Sequence, residues 1–133
     1  MRARLAVCNI AVQDVPRSRQ FYETLGFQAR PESNDEMVFF ELEWSWLAIF
    51  TYASLARFSG TPLESAGPPA FCLSHFVQTS EEVDEVISRA VSAGGSVAIE
   101  PANNDHGRIG YFSDPDGYRW EVAYSQHWMM LAE

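Results

Sequence analysis

The sequence predicts an α+β fold: two βαβββ modules with cupped mixed sheets around a cavity. Three observations predict it. One order of segments, strand, helix, then three strands, occurs twice along the 133 residues. Matching Val12 to Val77 sets the copies 65 residues apart, close to half the chain, which is the signature of an internal duplication. Each copy also carries one amphipathic helix, enough to cover one sheet face; the other face needs a cavity or a second subunit.

The elements follow in order. Residues 4–12, RLAVCNIAV, form an apolar run suited to a buried strand. Asp14 is an N-cap with Pro16 in the first turn, and Val15, Ser18, Phe21, Tyr22 and Leu25 recur at helical spacing until Gly26. Three strands are expected at Phe27–Arg30, Met37–Leu42 and Trp46–Tyr52, with turn residues Ser33-Asn34-Asp35 and Glu43-Trp44 between them. Ser54–Gly60 reads as a single helical turn, and Thr61–Pro69, with three prolines and Gly67, reads as a linker.

The second copy starts with a strand at Phe71–Val77. Thr79 and Glu82 have capping-box spacing, and Val83, Val86, Ile87, Ala90 and Val91 form a stripe that stops at Gly94-Gly95. Strands at Ser96–Ile99, Arg108–Ser113 and Tyr118–Tyr124 complete it. The expected organisation is a first module at 1–60, a linker at 61–69, a second module at 70–126 and a tail at 127–133.

Composition narrows the function classes. Nine basic against eighteen acidic residues give a net charge of −9, which opposes attraction to nucleic acid or anionic lipid and suits a cationic ligand or plain solubility. No stretch approaches the length of a membrane span, and no apolar region with a cleavage site follows Arg2 and Arg4, so neither a span nor a signal peptide is expected. With two cysteines, Cys8 and Cys72, a disulfide framework is not expected and a reduced cytoplasmic setting is.

Asp114-Pro115-Asp116-Gly117 is a tight turn, and in the strand after it Trp120, Val122 and Tyr124 share one face. Glu121 therefore lies on the other face with Arg119 and Ala123. A carboxylate there is either a general base or cation partner, or a structural group paired with Arg119, Arg108 or backbone donors.

Two stretches carry a family resemblance. NIAVQDVPRSRQFYETLGF (9–27) and GYFSDPDGYRWEVAY (110–124) resemble the opening and closing signatures of the vicinal oxygen chelate superfamily, which includes glyoxalase I, extradiol dioxygenases, fosfomycin-inactivating proteins and bleomycin resistance proteins. The resemblance spans nearly the whole chain and implies the doubled βαβββ fold. It also implies four His or Glu metal ligands in metal-dependent members. The corresponding positions here are Val7, Ile49 or Phe50, Cys72 and Glu121. One carboxylate and one thiol fall short of the three protein ligands an open metal site normally shows, so no metal and no cofactor is expected.

The other candidates are weighed by strand parity. Cys72, Ser74 and Phe76 share a face, which leaves His75 on the helix side. Asn9 shares a face with Val7 and Ala11 and would read a ligand carbonyl or amine, or hydrogen-bond across the sheet. His106, in the polar stretch Asn103–Gly107, is placed to swing over a ligand; His127 lies in the tail. Among Trp44, Trp46, Phe50, Tyr52, Tyr111 and Phe112, a plain core claims most, with Trp46 and Tyr111 the ligand-side candidates. The expected site is Glu121 as the catalytic candidate, with Asn9, Trp46, Cys72, Ser74, His106 and Tyr111 binding the ligand.

The expectation is a homodimeric small-molecule binding protein of the glyoxalase and bleomycin-resistance type, without the usual metal site, for an aromatic or cationic ligand. The alternatives are a glyoxalase-related lyase or dioxygenase with a divalent metal in a rearranged site, using Glu121 with His106 or Cys72, and a metal-free enzyme with Glu121 as base.

Overall fold

The computed structural model describes residues 1–60 and 70–133; the expected linker at 61–69 lies outside the described residues. The chain divides into two compact units, Met1–Gly67 and Pro68–Glu133.

In the first unit, β1 (Val7–Val12) leads into α1 (Val15–Thr24), then β2 (Met37–Glu41), β3 (Trp46–Thr51) and α2 (Tyr52–Ser59). Asp14 caps α1 as its spacing predicts, its carboxylate accepting from the Arg17 N–H at 3.0 Å. The sheet order is β1-β3-β2, with β1 parallel and β2 antiparallel to β3. Ile10, Val12, Val38, Phe40, Leu47 and Ile49 are buried with Phe21 and Tyr22 of α1. Tyr22, Phe27 and Phe40 meet at centroid distances of 5.4–5.8 Å.

The second unit comprises β4 (Cys72–Phe76), α3 (Ser80–Ser92), β5 (Ser96–Asn104), β6 (Gly107–Ser113), β7 (Arg119–Ser125) and a 3₁₀ turn at Met129–Leu131. Its order is β4-β7-β6-β5, with β4 parallel to β7 and the other pairs antiparallel. Thr79 caps α3, its Oγ1 accepting from the Glu82 N–H, and the Glu82 carboxylate reaches back past the cap to accept from the Gln78 N–H rather than from Thr79's own. Val83, Ile87 and Ala90 of α3 are buried, as are Phe112, Trp120 and Val122. Gly110 has no side chain because none fits: a Cβ there would stand 2.6 Å from Ile87 Cδ1 and 3.1 Å from Pro101 Cα.

The two mixed sheets, of three and four strands, are those of the two-module fold, with three departures from expectation. Phe27–Arg30 is reduced to a single bridge, Ala29 to Phe40, and Arg30 turns its guanidinium to Glu32 and Glu41. α2 has eight residues rather than one turn, because Thr51 caps it directly at the end of β3 and Gly60, at φ 72°, stops it. β5 runs on to Asn104 instead of ending at Ile99, since irregularities between Val97 and Ala102 absorb Pro101 without ending the pairing. The expected polar loop at Asn103–Gly107 is thus a tight hairpin in which Asn103 pairs with Arg108 and Asn104 with Gly107.

Candidate active or binding face

Strand register fixes which side chains share a face, because directly paired residues project the same way. In the second sheet, Trp120 and Val122 pair with Phe112 and Gly110 on the α3 side. The opposite face carries a row across three adjacent strands, Ser74 on β4, Glu121 on β7 and Tyr111 on β6. Cys72, paired with Arg119, lies one step along that face.

The row is joined by a hydrogen bond. The Tyr111 hydroxyl donates to Glu121 Oε2 at 2.7 Å, within the range of a charge-assisted O–H···O⁻ bond. The Glu121 carboxylate first, then burial, raise the Tyr111 pKa from 10.0 to about 12. Tyr111 therefore stays protonated and remains the donor throughout the physiological range. Arg108, an expected partner of Glu121, turns instead to the α3 side, where its Nε and Nη2 donate to Asp84 at 2.6 and 2.9 Å.

Turn chemistry aims this row. Asp114, 3 % exposed, accepts from the backbone N–H groups of Asp116 and Tyr118, both at 2.9 Å. Gly117 takes φ 89°, the left-handed conformation that favours glycine. The β6–β7 connection is thereby fixed, and with it the register that brings Tyr111 opposite Glu121.

The first sheet carries the equivalent row. With Val7 matched to Cys72, the pairing places Asn9, Ala48 and Phe39 where the second sheet has Ser74, Glu121 and Tyr111. The position equivalent to Glu121 is thus Ala48 rather than Ile49 or Phe50. Ile49 pairs with Ile10 toward α1, and Phe50 lies one row away, beside Ala11. Around Ala48 the face is aromatic: Phe39 meets Trp46 and Phe50 at 6.4 and 6.1 Å, and Phe58 of α2 packs on Phe50. The Arg30 guanidinium stacks 4.8 Å from the Trp46 ring centre.

The remaining candidates separate. His75 pairs with Val122 on the α3 side; desolvation lowers its pKa and Glu82 opposes this. Phe112 also faces α3, stacked on Trp120, and Trp44 is an exposed turn residue. His106 sits at the tip of the β5–β6 hairpin, five residues from Tyr111 along the chain and roughly 15 Å away at strand rise. Its neighbour is His127: His127 Nε2 and His106 Nδ1 are 2.9 Å apart. No local pattern marks that pairing, since the residues are 21 positions apart. Two shallow hollows, of about 420 Å³ beside Arg19 and Glu23 and about 230 Å³ beside Asp84 and Arg108, do not include the Glu121 row.

A family model for the Glyoxalase/Bleomycin resistance protein/Dioxygenase superfamily matches residues 4–122. The chain belongs to this superfamily. Among solved structures it is similar to a glyoxalase-related enzyme from Fulvimarina pelagi, at 30% identity and TM-score 0.85, covering 93% of this chain and 89% of that one. A glyoxalase/bleomycin resistance protein/dioxygenase family enzyme from Burkholderia phytofirmans PsJN shares the fold at 23% identity and TM-score 0.78, covering 92% and 99%. So does a lactoylglutathione lyase from Agrobacterium tumefaciens, at 19% identity and TM-score 0.73, covering 96% and 98%. No curated protein matches.

The donor set does not fit the metal that the resemblance implies. Val7 and Ala48 have no ligating atom, and Glu121 stands beside a tyrosine and a serine. Among the described residues, no group of three or more His, Cys, Asp or Glu side chains is placed to hold an ion. No helix among them is long and apolar enough to cross a membrane.

Proposed function

We propose that this superfamily member binds a small aromatic or cationic molecule, with Glu121 receiving a ligand N–H or cationic group and no metal taking part. The observation that carries the reading is the Tyr111 to Glu121 hydrogen bond. It occupies Oε2 and leaves Oε1 for a ligand donor. Ser74, opposite Glu121, adds a hydroxyl, and the formal charge of −9 favours cations at long range. Cys72 flanks the row; Asn9 and Trp46 offer an amide and an indole on the first sheet.

The same reading includes a cytoplasmic homodimer. Free thiols at Cys8 and Cys72 support the compartment, and exposed Val97 and Ile99 on the edge strand β5 support a partner chain. A metal-free isomerase with Glu121 as base is the second reading, favoured by the Tyr111 hydroxyl, which orients the carboxylate through Oε2 and leaves Oε1 to take a proton.

The test is tryptophan quenching by bleomycin and by a planar aromatic cation such as ethidium, with excess chelator present. Saturable quenching that Glu121→Gln weakens at least about tenfold, at an unchanged melting temperature, is the expected result. Binding that chelation abolishes, or that Glu121→Gln leaves intact, overturns the reading.

A further inference from the structure

Outside the Glu121 row, one cluster of metal-ligating side chains is held by backbone rather than by chance contact. His106 occupies the turn between β5 and β6, and His127 follows β7. Three features bring them together. Gly107 pairs with Ser125, and a Cβ on Gly107 would fall 2.0 Å from the Tyr124 carbonyl oxygen, so only glycine lets the hairpin tip approach this closely. The Gln126 N–H donates to the His106 carbonyl at 2.9 Å. Asn104 Oδ1 accepts from the His106 N–H at 2.8 Å, and Ser125 Oγ accepts from the His127 N–H at 3.2 Å. Both main chains are therefore fixed before the rings are placed.

The rings lie nearly edge to face, 4.3 Å between centres and 70° between planes, with His127 Nε2 and His106 Nδ1 at 2.9 Å. That separation fits a shared proton, and it equally fits two imidazoles on one ion. Metal–nitrogen bonds of about 2.0–2.1 Å at angles of about 90–110° set ligating nitrogens roughly 2.9–3.4 Å apart. Both side chains are exposed, so the rings have room to rotate off the N···N line until both lone pairs meet at one ion. The pair lies at the strand end remote from Tyr111 and Glu121, so it is separate from the ligand face.

We propose that His106 Nδ1 and His127 Nε2 form a surface site for one imidazole-preferring divalent ion, Ni²⁺, Cu²⁺ or Zn²⁺, with water completing the coordination; two protein donors make this an exchangeable site and not a catalytic centre, which takes three. Such ions favour imidazole nitrogen, and the bound ion clasps the segment after β7 to the hairpin.

Calorimetric titration of the untagged full chain with Ni²⁺ tests it, since nickel is less drawn than zinc to the two thiols. The expected result is one ion per chain. His106→Ala and His127→Ala should each weaken uptake by roughly tenfold or more, because the second donor acts through effective concentration, and the double variant, which keeps neither imidazole, should show no saturable uptake at this site. His75→Ala keeps wild-type affinity. Nickel should also raise the melting temperature of the wild type and not of either single variant. Both rings are exposed, and His106→Asn and His127→Gln repeat the measurement with polar replacements. Wild-type affinity in either single variant of this pair, or loss only with His75→Ala, overturns the site.

Discussion

The two sheets share a register and differ in chemistry. Asn9, Ala48 and Phe39 stand in the first where Ser74, Glu121 and Tyr111 stand in the second. Around Ala48, which is fully buried, aromatic rings close over the sheet; around Glu121 a hydrogen-bonded polar pair remains half-buried. The two copies thus share a backbone geometry, which apolar parity and turn residues determine, while the hydrogen-bonded polar pair stands in only one of the two rows. A face whose register is kept can lose its donors without losing its fold.

The largest expected effect comes from forcing the two rows to match. Ala48→Glu buries a carboxylate among Phe39, Trp46 and Phe50 with no hydroxyl equivalent to Tyr111, and should cost about 3 kcal/mol or more of stability. Glu121→Ala, in the polar row, should cost about 1 kcal/mol. Urea unfolding of both variants checks the asymmetry; equal losses would mean that the rows are not chemically distinct.

The helix-facing sides give the next effect. Val38 in the first sheet, paired with Ile49, is matched by Gly110 in the second, paired with Val122. The first position has room for a side chain and the second does not, since Ile87 and Pro101 already fill it. Gly110→Val should therefore destabilise by about 2–3 kcal/mol, read as a lower urea midpoint. An unchanged midpoint would show that α3 packs more loosely on its sheet than α1 does.

The smallest effect is invisible at neutral pH. Tyr111 has a folded pKa of about 12 against 10.0 for the free side chain. A raised folded pKa means that its stabilisation is fully present below pH 10 and fades as pH rises toward 12. In an alkaline absorbance titration, Tyr111→Phe should remove one tyrosine that ionises late, near pH 12. An unchanged late phase in Tyr111→Phe would contradict the hydrogen bond to Glu121.

Most of the fold was legible because caps and parity are local. Asp14, Thr79 with Glu82, and the Asp114–Gly117 turn each act within a few residues, and period-two alternation assigned Glu121 and His75 to opposite faces. Local signals fail where strand pairing overrides them. Pro101 and two asparagines read as loop, yet β6 holds them in β5; Phe27–Arg30 reads as strand, yet makes one bridge. Glu121 and Tyr111 were each visible as candidates, but their bond depends on a hairpin register that neither residue encodes alone. His106 and His127 depend on Gly107, whose role is apparent only when Tyr124 lies beside it.

Tyr111 and Glu121 are proposed to act as one unit on a ligand, without a metal. A double-mutant cycle measures this directly: the affinity of the chelator-treated protein for a quenching aromatic cation in wild type, Tyr111→Phe, Glu121→Gln and the double variant. Both singles should weaken binding and the double should be weakened by less than their sum, with a coupling of about 1 kcal/mol or more. Strictly additive losses, or wild-type binding in either single variant, would contradict it.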